Sequence, residues 1–326
     1  MATIASIAES LGVSVPTVSK VLNGRPDVAP ATRNRVEAAL KAANYQRRGS
    51  GRSTSSVVEL VMHTIESPWA LEVIQGVQTA AEAEDLSVVL TGLSGSHQPG
   101  SGWVDGVLER KPVGVILVLT EIDVEQQRRL QSRNIPFVLV DTYGEVGPTM
   151  PTVGSNNWHG GLVATQHLLD LGHERIGIIS GPQEYLCSRA RVSGYRSAHE
   201  AAGLEWDPAL LRWGDFALDG GYRYGMELLS RPDRPTAIFA GSDYQALGVL
   251  RAARELNLSV PEDLSLVGYD NVPLASWISP TLTTVNQPLK EMAATATRMV
   301  LDQSSLPSRI ELSTALVQGE STAPLG

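Results

Sequence analysis

His63, Glu66, Trp69, Asp141, Arg191, Phe216, Asp243 and Asp270 stand where strand-like apolar runs end or where the next helix begins. In open α/β sheets ligands bind beyond those strand ends. Paired hydroxyls take bidentate partners from carboxylate or guanidinium groups, and the apolar face of a ring stacks on an aromatic. The set therefore suits a hydroxyl-rich small molecule. Each residue also has a plainer use: Asp270 or Asp141 could cap a loop, Arg191 could form a surface ion pair, and Trp69 could open a buried helix face. Tyr195, Trp158 and Trp277 read as core or cleft-rim packing. Nothing points firmly to catalysis. Ser188 and Ser193 lack nucleophile-elbow spacing, and His167 and His173, six apart, do not share a helical face. Paired carboxylates remain compatible with the residue types, but the chain is not expected to be an enzyme.

A second group of polar residues lies at the start of the chain. Read as a helix, residues 14–23 hide Val18, Val21 and Leu22 and turn Thr17, Ser19, Lys20 and Asn23 outward, with Pro16 tolerated in the first turn. Before it, Ile4, Ile7, Ala8 and Leu11 recur at helical spacing behind Thr3, a plausible N-cap. Gly12 sits where one helix must turn sharply into the next. A third helix, 30–44, turns Val36, Ala39, Leu40 and Ala43 inward.

The net charge of −9 argues against a nucleic-acid binder until the chain is divided. Residues 1–52 hold eight Lys/Arg and three Asp/Glu, a net +5 that leaves −14 on the rest. A basic head on an acidic body directs one face at phosphate. At 326 residues the chain exceeds one ordinary domain. Cys187 is the only cysteine, which excludes an intrachain disulfide or a cysteine-cluster metal site, and no metal or other cofactor is expected. No apolar run approaches a membrane span, and residues 1–20 lack a secretory pattern, so a cytoplasmic protein is expected.

Residues 46–56 (QRRGSGRSTSS) contain no apolar side chain and read as a linker. From Val57 strands and helices alternate. Strands are expected at 57–62, 86–91, 113–120, 135–141, 176–180, 237–241, 264–269 and 282–285. Helices are expected at 69–84, 157–171, 187–202, 220–229, 244–256 and 291–301, with a loop at 213–216. The glycine-rich stretch 92–102 lacks the Gly-Lys-Ser/Thr of a phosphate cradle and reads as a surface connection. The fold class is an all-α helix-turn-helix head followed by two doubly wound parallel-sheet lobes.

The order Thr3-Ile4, Ala8, Val13-Ser14, Thr17-Val18-Ser19, Asn23-Gly24, Thr32-Arg33, Val36, Ala39 and Asn44-Tyr45 resembles the headpiece of the lactose-repressor (LacI/GalR) family. The resemblance continues through Asn156-Asn157, Gly161, Leu171-Gly172-His173, Arg189 and Arg191 before Gly194-Tyr195, Asp243 and Val267-Gly268-Tyr269-Asp270, and covers roughly residues 2 to 322. It implies a headpiece at 1–46, a linker at 47–56 and a periplasmic-binding-protein-like core at 57–326. In that core, lobe 1 would be about 57–155 and 286–312, and lobe 2 about 156–285 and 313–326. It implies a homodimeric repressor of operator DNA governed by a small-molecule effector, most simply a sugar. Arg191 and Asp270 match family positions that bind effector hydroxyls, and Trp69 and Phe216 match positions flanking the ligand.

On the DNA side, Thr3, Ser14 and Ser19 are expected on phosphates, and Val15, Pro16, Thr17 and Lys20 at base edges, with Asn23 outward beside them. The family places a leucine-bearing hinge helix in the linker. This chain has no leucine there, only Arg47, Arg48 and Arg52. The stretch 66–74 is similar to actinobacterial regulators of plant-polysaccharide use, which implies a saccharide such as a xyloside. With no leucine-rich tail after Val317, a dimer is expected rather than a tetramer. A secreted sugar-binding protein would share the body but carry a leader in place of the basic head.

Overall fold

Two short helices, α1 (Ile4–Leu11) and α2 (Val15–Leu22), meet across Gly12, whose φ of +64° only glycine adopts cheaply. A Cβ there would meet nothing within 4 Å, so the backbone angle, not crowding, requires the glycine. With α3 (Pro30–Ala42) they enclose a small core of Ile7, Ala8, Val18, Val21, Val28 and Val36. Arg35 ties α3 to α1 by donating to the Leu11 carbonyl at 2.9 Å, one of the orphan acceptors of that helix end. Ala43, expected inward, is exposed. The computed structural model describes residues 4–22, 25, 28–43, 56–144, 146–147, 149–302 and 308–326. Thr3, Asn23, Arg47, Arg48 and Arg52 lie outside these, as does nearly all of the expected linker.

The rest of the chain builds two six-stranded sheets. The first runs in the order β2 (Ser87–Gly92), β1 (Val57–Met62), β3 (Gly114–Val118), β4 (Phe137–Val140), β5 (Thr152–Ser155), β11 (Arg309–Leu312), all parallel. The second has the same order: β7 (Leu211–Trp213), β6 (Ile176–Ser180), β8 (Ala237–Ala240), β9 (Ser265–Asp270), β10 (Thr283–Asn286), β12 (Ala315–Val317), with only the β10–β12 pair antiparallel. Strands β3, β4, β6, β8 and β9 are buried along their whole length, as unbroken apolar runs require.

Helices cover both faces. In lobe 1, α4 (Pro68–Glu82) and α12 (Leu289–Leu301) pack on one side, and α5 (Trp103–Arg110) and α6 (Val124–Ser132) on the other. In lobe 2, α7 (Asn157–Asp170) and α8 (Leu186–Ala201) oppose α9 (Leu218–Leu229) and α10 (Asp243–Glu255), with the short α11 (Leu274–Trp277) beside α10. The chain crosses between lobes at β5 to α7, β10 to α12 and β11 to β12.

Periodicity missed some elements. Helix α6 (VEQQRRLQS) buries only Gln126 and Leu130, too narrow an apolar face to read in advance, and α5 follows the glycine-rich stretch directly. The expected loop at 213–216 opens on the last residue of the three-residue edge strand β7, which is not among the expected strands. Strand β1 hides Glu59, fully buried, on which Arg110 closes a bidentate pair at 2.6 and 2.9 Å while Thr91 donates at 3.1 Å. That pairing is what lets a carboxylate sit inside a sheet.

Candidate ligand-binding cleft

Helices α7 and α8 approach so closely that a Cβ on Gly161 would lie 2.1 Å from the Arg191 carbonyl, and one on Gly194 2.1 Å from that of Trp158. This contact sets Arg191 at the mouth of lobe 2. Its Nε donates to Asn157 Oδ1 at 2.8 Å, Nη1 to the Gly241 carbonyl at 2.5 Å and Nη2 to Gln287 Oε1 at 3.2 Å. Gln287, at a lobe crossing, passes the link on by donating to Asp141 Oδ2 in lobe 1 at 2.9 Å. One hydrogen-bonded chain thus joins both lobes through the hinge.

Around it lies a cavity of about 390 Å³. Lobe 1 contributes His63, Glu66, Trp69 and Asp141, and lobe 2 contributes Arg191, Phe216 and Asp270. Seven of the eight expected residues therefore converge. Trp69 lines the cavity while also packing on the lobe 1 core. A second, more open hollow of about 570 Å³ lies beyond Asp141, against Trp158 and Arg309.

Asp243 does not line the cavity. It is fully buried at the start of α10, where Oδ1 accepts from the Thr284 hydroxyl at 2.6 Å and Oδ2 from the Val272 N–H at 2.9 Å. It staples three elements of lobe 2 and has no face for a ligand. Strand-end position alone could not separate it from Asp270, because the two differ only in which way the local backbone turns them.

Asp270 is the opposite case. Its Oδ1 is buried with no hydrogen-bond partner, and its backbone sits at φ +104°, off the range a non-glycine residue adopts freely. Asp141 (φ +45°) and Phe216 (φ +60°) are also left-handed, so three cavity residues hold strained backbone of the kind that gathers at functional sites. Burial pushes the Asp141 carboxyl up to about 6 against the pull of Arg191. Burial raises Asp270 well above the ordinary carboxylate range, with Asp243 and Asp141 adding to the effect. Burial likewise raises the Cys187 thiol to about 11, which leaves it unreactive in the cavity wall.

Phe216 lies against Gly181, where a Cβ would be 2.0 Å from the ring, and Ser242 holds its carbonyl at 3.1 Å. Ser242, Tyr185 and Tyr244 also line the cavity and were not foreseen. Tyr185 follows the end of β6, so the strand-end rule could have found it. Tyr195 is core, whereas Trp277 is 78% exposed.

At the other end of the molecule, Ser14, Val15, Pro16 and Lys20 are exposed, and Thr17 and Ser19 partly so. The Ser14 hydroxyl caps α2 by accepting the Thr17 N–H at 3.2 Å and pairs with the Thr17 hydroxyl at 2.8 Å. Among the described residues no helix is long and apolar enough to cross a membrane. Nor do His, Cys, Asp and Glu there form a group of three able to hold a metal ion.

Residues 3–48 match the model of bacterial regulatory proteins of the lacI family, and 165–322 that of a periplasmic binding protein-like domain. The HTH-type transcriptional repressor PurR of Proteus mirabilis is 34% identical over 308 residues, 93% of this chain and 90% of that one. A structure described as a transcriptional regulator CelR–cellobiose complex superposes with a TM-score of 0.73 at 33% identity, covering 98% of this chain and all of the other. The lac repressor dimer bound to operator and the anti-inducer ONPF gives 0.71 at 25% identity, over 99% of both chains.

Proposed function

The chain belongs to the LacI family of bacterial regulatory proteins, and on that premise we propose a homodimeric repressor whose operator affinity is set by a neutral, hydroxyl-rich effector between the lobes. The observation that carries the effector class is the unpartnered Asp270 Oδ1 beside Arg191 in a cleft otherwise lined by Glu66, Asp141 and Asp215. An anionic effector would meet four acidic side chains and one guanidinium. A polyol supplies the hydroxyl donor that Asp270 lacks, and its ring has Trp69 and Phe216 to lie against. Within saccharides, the CelR neighbour favours a β-linked disaccharide such as cellobiose, and the stretch 66–74 favours a xyloside.

Each protomer places α2 in the major groove of one half-site. Val15 and Pro16 offer thymine methyls apolar contact, Thr17 and Lys20 face base edges, and Ser14 and Ser19 set register on phosphates. Closure of the lobes on the effector changes headpiece spacing, with a coupling of about 1–3 kcal/mol typical of such linkage. The protein works in the cytoplasm, where its DNA is.

The test is a thermal-shift panel of mono- and disaccharides, cellobiose and xylobiose among them, followed by operator binding with each hit. A saccharide that stabilises the protein and changes operator affinity supports the reading. Stabilisation only by anions or nucleobases would sink it.

A further inference from the structure

Two imidazoles of lobe 1 lie face to face at the cleft: His63, after β1, and His97, between β2 and α5, with centroids 3.9 Å apart and planes 5° apart. Tyr143 extends the stack beyond His97 at 3.9 Å and 24°. From lobe 2, Tyr185 arrives edge-on, its hydroxyl 3.0 Å from His97 Nε2 and 3.4 Å from His63 Nε2. The stretch that reads as a mere surface connection in the sequence thus carries His97 into a contact between lobes.

A proton inventory shows what this cluster lacks. His63 Nδ1 meets the Ser96 carbonyl at 3.0 Å and His97 Nδ1 the Leu119 carbonyl at 2.8 Å. Carbonyl oxygens only accept, so each Nδ1 carries the hydrogen and each neutral ring keeps a bare lone pair at Nε2. Tyr185 has one hydroxyl proton for two such nitrogens, and the shorter distance assigns it to His97. His63 Nε2, in a residue that lines the cavity, is left one donor short.

We infer that His63 Nε2 is an acceptor subsite for one hydroxyl of the effector, and that ligand and proton exclude each other at this lone pair. The inference rests on the effector reading of the cleft. A protonated His63 would carry a hydrogen on Nε2 and present no acceptor to the ligand. Burial, with His97 adding to it, holds His63 below the usual 6.5 against the Ser96 bond, so the neutral acceptor form prevails near neutrality. The other titratable and charged groups around the cluster are Tyr143, Glu184 and Cys187 beside Tyr185, Glu121 after β3, and Glu66, Asp141, Asp215, Asp270 and Arg191 in the cavity. The carboxyls titrate with the same sign, so a comparison with a variant lacking only the imidazole is required.

The experiment is side-chain ¹⁵N NMR of the full chain labelled at histidine, titrated with acid alone and with cellobiose or xylobiose, whichever the panel finds to bind. Alongside it, saccharide affinity is followed against pH for wild type, His63→Gln and His63→Phe. Glutamine offers an acceptor without a proton equilibrium, and phenylalanine keeps a ring for the stack but no acceptor. Expected are a bare Nε2 on neutral His63, a titration below 6.5 that saccharide lowers further, and binding by His63→Phe that is weaker than wild type above that titration and converges with it below. Below that titration, wild-type affinity should fall about tenfold per pH unit more steeply than that of His63→Gln, the slope of one linked proton. Hydrogen on Nε2 of the neutral ring, or parallel wild-type and His63→Gln curves, would overturn the subsite while leaving the effector reading intact. If no saccharide binds, both fall together.

Discussion

The Arg191 guanidinium lies 3.7 Å from the centre of the Tyr269 ring, with its donors already committed to Asn157, Gly241 and Gln287. Its place is therefore set before any ligand arrives, and the N–H groups left over are oriented at no further entropic cost.

Lysine has no planar fork, so Arg191→Lys should lose the saccharide response and leave the Gly241 carbonyl and Gln287 Oε1 short of a donor, destabilising the fold by a few kcal/mol, while Asn157 Oδ1 keeps the Tyr269 hydroxyl. Asp270→Asn preserves shape but replaces one carboxyl oxygen with an amide donor. It should cost about 2–5 kcal/mol of saccharide affinity and leave ligand-free operator binding near wild type. Fluorescence anisotropy of labelled operator, with and without saccharide, checks both. Full response in Asp270→Asn would place the effector elsewhere.

Asp243 predicts the reverse pattern. Asp243→Asn puts an amide donor against the Thr284 hydroxyl or the Val272 N–H, and should lower stability by about 1–3 kcal/mol in urea unfolding. The saccharide response of the folded fraction should survive.

The pH dependence follows from folded carboxyls that hold their protons longer than the unfolded chain does. Asp141 is pushed from 3.8 to about 6, so between those values the folded state binds more protons and stability falls as pH rises. The loss is on the order of 3 kcal/mol, complete above the folded value. Buried His173 and His199, with lowered pKa values, act in the opposite sense below 6.5. The difference between wild type and Asp141→Asn isolates the carboxyl: the wild type should lose stability relative to the variant as pH climbs through this window. A constant difference would contradict the buried, acid-retaining Asp141 described above.

Lys20 stands exposed on α2. Lys20→Ala should cost about 1–3 kcal/mol at one operator position and relax the preference there. A loss equal across all operator variants would make Lys20 a phosphate contact instead.

Replacing Arg47, Arg48 and Arg52 with alanine tests the linker as an arginine arm for a narrow, A·T-rich minor groove. Each phosphate charge no longer neutralised should reduce the slope of log affinity against log salt by about 0.9. The preference for an A·T operator centre should fall with it. If slope and preference both stay put, the linker is a tether.

Periodicity carried most of the architecture. Strand β6 matches its expected range, and the expected helix 157–171 lies within one residue of α7, because long buried segments have only one way to hide their apolar faces. Edge elements behaved otherwise. Strands β7, β11 and β12 are three or four residues long and partly exposed, and their pairing depends on a neighbouring edge rather than on their own pattern. Seven of the eight candidates line the cleft, and they were readable because open sheets bind ligands beyond their strand ends. His97 was not readable, since no local periodicity marks a loop residue that stacks on a ring 34 positions earlier.

Local chemistry, then, settled the helix-turn-helix, the alternation of strand and helix, the basic head and most of the polar set around the cavity. These depend on interactions within a few residues or on patterns that repeat along the chain. The opposite fates of Asp243 and Asp270, and the single Tyr185 proton shared between two histidines, were decided only when distant segments met. Whether a carboxylate is spent or unpaired depends on which donors the other lobe, strand or loop brings within about 3 Å, and that is a property of packing.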